Sequence, residues 1–103
     1  MSDKRIIGLL PETEILAQMA EEAAELAKAA LKLRRAKDGV NPTPVDVKIA
    51  EANLIEEYAD VAVCVNALFT DEMYDRAVEV ACQKQDRWLK RLQERKNSNE
   101  KAE

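Results

Sequence analysis

Glu22-Ala-Ala-Glu25-Leu-Ala-Lys-Ala-Ala and Leu54-Ile-Glu-Glu57-Tyr-Ala-Asp60-Val-Ala-Val are the two stretches whose reading decides the fold. Each sets two carboxylates three residues apart in a run of strong helix formers, one turn apart on a single helix face. At roughly 100° per residue, Ile15, Met19, Leu26, Ala29 and Leu33 fall within about 60° of Glu22. Glu22 therefore lies inside the apolar stripe, Glu25 lies at its edge, and Gln18 lies between them. The second stretch repeats the layout. Ala50, Leu54, Val61, Cys64 and Leu68 surround Glu57, Asp60 holds the edge, and Asn53 is the amide one turn back. A lone carboxylate in a core-facing stripe is costly, and the cost is taken twice in the same phase.

Working outward, Pro11 reads as a first helical residue, and Glu12 and Glu14 suit the positive end of the dipole. The first helix is expected to run to about Lys37 and to stop at Asp38-Gly39. Residues 38–43 read as a loop. Thr43-Pro44-Val45-Asp46 reads as a start, with Thr43 as cap, for a second helix ending near Phe69. Thr70-Asp71 caps a third helix, expected to continue to about Arg95. Its apolar face, with Met73, Ala77, Val80, Ala81 and Trp88, carries Lys84, flanked by Arg87 and Arg91. Residues 1–10 read either as a short helix or as an arm on the bundle, and residues 97–103 as a frayed, disordered tail.

Length and composition agree with this reading. A chain of 103 residues with 47% hydrophobic and 35% charged residues is too apolar for disorder and suits one small helical domain, residues 1–96. The expected fold is all-α, an antiparallel helical bundle whose four-helix-type core is completed by dimerisation, as a homodimer or a dimer of dimers. A net charge of −4 and 4% aromatic residues argue against a nucleic-acid partner. No run is long enough for a membrane span, and Cys64 and Cys82 read as two buried, reduced thiols of a cytoplasmic protein. The chain has no histidine, which removes imidazole catalysis and weakens any zinc or di-iron reading.

Carboxylates gathered at one level favour a hard divalent cation, Mg²⁺ or Mn²⁺, because each raises the others' proton affinity until a cation neutralises them. Lys84, Arg87 and Arg91 are cations suited to phosphate oxygens. Together these groups point to metal-assisted hydrolysis of a phosphoanhydride. Gln18 and Asn53 are candidates for holding the carboxylates in place.

The two quoted stretches resemble the paired ExxE and ExxD motifs of the all-α nucleoside triphosphate pyrophosphohydrolases, in particular the small MazG-like proteins. The resemblance covers roughly residues 12–92. It implies Mg²⁺-dependent cleavage of a (deoxy)nucleoside triphosphate between the α and β phosphates, with Glu22, Glu25, Glu57 and Asp60 as metal ligands and catalytic residues. It also implies a role in clearing unwanted nucleotides. The interval between the motifs is somewhat long for that family, the surplus lying in residues 36–48. A phosphoribosyl-ATP pyrophosphohydrolase-like enzyme is the related alternative, and a non-catalytic helical interaction module is the alternative of a different class.

Overall fold

The structure, a computed structural model, describes residues 1–39 and 46–102. It is all-α, with three helices in chain order: α1 (Glu12–Asp38), α2 (Val47–Leu68) and α3 (Asp71–Ala102). The chain divides into two compact units, Met1–Phe69 and Thr70–Glu103.

α1 begins one residue later than expected. Pro11 is its N-cap, extended at ψ 145°, and its carbonyl accepts from the Glu14 and Ile15 amides at 3.0 and 3.2 Å. At the other end Gly39 takes the left-handed conformation at φ 67°, and its N–H returns to the Arg35 carbonyl at 3.1 Å. Glu12 and Glu14 in the first turn, with Arg35 and Lys37 in the last, complement the dipole.

The expected start of α2 at Thr43 and Pro44, like most of the 38–43 loop, lies outside the described residues. The described N-cap is Asp46, whose carboxylate accepts from the Ile49 amide at 2.9 Å. α2 ends as expected, with Phe69 as C-cap.

The N-terminal residues form an arm on the first unit and hold no helix. Residues 5–9 form a turn, and the segment before it lies along the end of α2, with the Asp3 amide donating to the Asn66 carbonyl at 2.7 Å. Lys4 Nζ donates to the carbonyls of Ala67 and Phe69 at 3.5 and 3.2 Å, where a cation suits the helix C-terminus.

α1 and α2 pack as an antiparallel hairpin. Near its open end, Ile15 of α1 meets Cys64, Ala67 and Leu68 of α2, with Ile7, Met19 and Phe69 packed around them. Toward the connection, Lys37 approaches Glu51 at 3.7 Å. Seven-residue steps run in opposite directions along the two helices, so Glu22 comes level with Glu57 and, a further step on, Ala29 with Ala50. Ala29 and Ala50 are 1% and 3% exposed, so small side chains let the backbones approach closely. The core is thin, and Leu16, Leu31, Ile49, Ile55, Tyr58 and Val63 remain exposed on this unit.

The second unit is built on α3. Thr70 Oγ1 accepts from the Met73 amide at 3.2 Å, the cap read from the sequence. The helix runs on to Ala102, through residues expected to fray. That stretch lacks large apolar residues but also lacks glycine and proline, and extending an existing helix gains one hydrogen bond for each residue fixed.

Candidate metal centre on α1 and α2

Three of the four expected carboxylates converge. Glu22 of α1 and Glu57 and Asp60 of α2 each bring one carboxylate oxygen within 4.8 Å of the others. Glu22 and Glu57 are half-buried and Asp60 is exposed, so the trio opens to solvent on the Asp60 side. The helices position these groups directly. Glu57 and Asp60 lie one turn apart on α2, and the hairpin register brings Glu22 across to them.

Gln18, one turn before Glu22, donates from Nε2 to Glu22 Oε1 at 2.7 Å, which restricts the rotation of that carboxylate. Glu25 stays outside the trio. Its Oε1 lies 3.5 Å from Lys28 Nζ, both residues exposed, so the edge of the stripe leaves it an ordinary surface pair.

The electrostatics follow from the crowding. The Glu57 carboxyl is raised above its ordinary value, first by desolvation and then by the charges of Asp60, Glu22, Glu25 and Glu56. Glu25 thus acts on the site through its field although it stands outside it. Buried Cys64, one turn beyond Asp60, has its thiol pushed up by burial first and then by Glu22 and Asp60. A thiol so placed is neutral and has little nucleophilic character. Its burial and its place beside the acids follow from its position one turn past Asp60, in the same stripe as Glu57.

Asn53 is half-buried and lines a solvent-open cleft of about 390 Å³ with Lys32, Ile49, Ala50, Ala52 and Glu56. Lys84, Arg87 and Arg91 lie on α3, in the second unit, and all three are exposed. Arg91 Nε donates to the Arg87 carbonyl one turn back at 3.4 Å.

The donor set could hold a hard cation. It offers three carboxylate oxygens from two helices, one oriented by an amide and one carrying raised proton affinity that a cation would relieve. No described helix is long and apolar enough to cross a membrane. Comparison with models of known families, with curated proteins and with solved structures finds no match for this chain.

Proposed function

We propose that this chain is a Mg²⁺-dependent nucleoside triphosphate pyrophosphohydrolase, cleaving a (deoxy)nucleoside triphosphate between the α and β phosphates to monophosphate and pyrophosphate. Its purpose in this reading is the removal of unwanted nucleotides. The observation that carries the proposal is the convergence of Glu22, Glu57 and Asp60 across the α1–α2 hairpin.

Carboxylates without imidazole or thiolate partners suit Mg²⁺, with Mn²⁺ as the nearest substitute. When bound there, such an ion supplies Lewis acidity toward phosphate oxygens and a lowered pKa for water. The chain's own residues do the positioning. Glu22, Glu57 and Asp60 hold the cation, Gln18 fixes the Glu22 carboxylate, and Glu25 adds negative field nearby. Lys84, Arg87 and Arg91 enter the proposal through their chemistry alone, as ammonium and guanidinium partners for phosphate charge. Assembly as a homodimer or a dimer of dimers belongs to the same reading, because the thin core leaves large apolar residues exposed.

The test is a panel of ribo- and deoxyribonucleoside triphosphates incubated with the full chain and Mg²⁺, with pyrophosphate release as the readout. At least one substrate should release pyrophosphate only when Mg²⁺ is present. Glu57→Gln should lower the rate by at least about 100-fold, the upper end of the loss seen when a partner around a metal is removed. A silent panel, or undiminished activity in Glu57→Gln, overturns the proposal.

A further inference from the structure

α3 is 32 residues long and, from Ala81 to Lys101, every residue is exposed. A bare helix of this kind is marginal in water, since helical stability in proteins comes chiefly from packing an apolar face. α3 has such a face. Val78, Gln85 and Leu92 recur at seven-residue intervals, and Ala81 and Trp88 interleave with them at the three- and four-residue steps of a two-helix seam. Val78 is 63%, Trp88 64% and Leu92 49% exposed. Gln85, Trp88, Leu89 and Leu92 also line a shallow, mainly apolar hollow of about 190 Å³.

The charges around this seam are segregated along the helix. Residues 71–82 carry four acids, Asp71, Glu72, Asp75 and Glu79, against the single base Arg76. Residues 84–96 carry six bases against two acids, Asp86 and Glu94. Two copies of α3 laid parallel would set acid on acid and base on base. Laid antiparallel, each acidic half meets a basic half, and the helix dipoles also oppose.

We propose that the apolar face of α3 is an interface between two copies of this chain, paired antiparallel about a two-fold axis at the level of Gln83. In that register Val78 of each copy packs on Trp88 of the other, and Ala81 faces Gln85 near the axis. The large ring thus meets the smaller β-branched side chain, and one amide at each central layer fixes the register. The pairing is isologous and closes on itself. It specifies the homodimer that belongs to the reading above, and it does not depend on the phosphoanhydride chemistry of that reading.

Cys82, expected from its apolar neighbours to be buried, is exposed because nothing among the described residues covers this part of α3, and it is a built-in probe of the geometry. In the antiparallel pair the two Cys82 residues flank the axis on the same side, whereas in a parallel pair they lie on opposite edges. The experiment measures the mass of the full chain in solution at micromolar concentration and its cross-linking by bismaleimidoethane, a short thiol-to-thiol reagent. The expected result is twice the 11.6 kDa chain mass and a covalent dimer that Cys82→Ser abolishes. Trp88→Glu should return the mass to that of one chain. Where Trp88→Glu loses helicity by circular dichroism, Arg95→Glu combined with Lys96→Glu leaves the apolar seam intact and should weaken the dimer several-fold. A wild-type monomer, an assembly unchanged in size or affinity by these variants, or a dimer without the Cys82 cross-link overturns the proposal.

Discussion

Replacing Ile15 with alanine tests the hairpin on which the carboxylates depend. Ile15 is 3% exposed and sits among Cys64, Ala67 and Leu68, so truncation removes three buried carbons beyond Cβ. At about 0.8 kcal/mol per buried carbon group, the transfer loss is about 2.4 kcal/mol. The space left behind raises the expected destabilisation to about 3 kcal/mol, inside the range for isoleucine truncation in cores. Ile7 lies in the N-terminal segment and can settle partly into the gap, which favours the lower half of that range. For a unit of this size the loss lowers Tm by roughly 12 to 24 °C. Urea and thermal unfolding followed by circular dichroism measure the effect. Trp88, the only tryptophan, reports the second unit separately by fluorescence. Ile15→Val should cost about 1 kcal/mol in the same assay. A loss below about 1 kcal/mol for Ile15→Ala would refute the packing of α1 on α2 described here.

Two further predictions concern the same unit. In metal-free protein the folded state holds the Glu57 proton more tightly than the unfolded chain does, so stability from this group is fully present below its ordinary value of 4.5. That stability is lost as pH rises through the raised folded value, because the unfolded state binds fewer protons in that window. Denaturant midpoints should therefore fall with rising pH by an amount that Glu57→Gln removes, and an unchanged slope in Glu57→Gln defeats the assignment. At the end of α1, Gly39→Ala meets no atom within 4 Å of the added Cβ, so its cost is that of the left-handed backbone alone, about 1 kcal/mol. A neutral result by chemical denaturation would contradict the φ of 67° at that residue.

Helices α1 and α2 were legible because their periodicity, not their composition, carries the information. Placing Glu22 and Glu57 at the centre of their stripes put both on the facing sides of the helices, and the contacts of Ile15 at one end and Lys37 at the other set their common level. The edge positions were harder. Asp60 and Glu25 have equivalent places on their wheels, yet Asp60 joins the trio and Glu25 turns to Lys28. A wheel gives the direction of a Cβ and not the rotamer or the local competitor. Gln18 and Asn53 diverged similarly, one bonding Glu22 and the other lining a cleft. The N-terminal segment was ambiguous because four apolar residues around one glycine fit several local structures. Its placement depends on Lys4 reaching the carbonyls at the end of α2, a tertiary contact with no local signature. The length of α3 was underestimated because polarity was taken for a stop signal, whereas helices stop at competing backbone chemistry.

The alternation of side-chain size along the hairpin has a consequence for selectivity. Ile15 on one side of the acid level and the alanine pair Ala29 and Ala50 on the other act as spacers of unequal size, Ile15 and Ala29 one heptad from Glu22 and Ala50 one heptad from Glu57. The gap across which Glu22 faces Glu57 and Asp60 is therefore set by hydrocarbon that no ion touches. Enlarging either alanine would spread the carboxylates without altering a single ligand, shifting preference from a small cation with short bonds toward a larger one. The ion-size filter of such a site would then reside in its methyl groups, and swapping alanine for a bulkier residue would retune it while leaving the charge untouched.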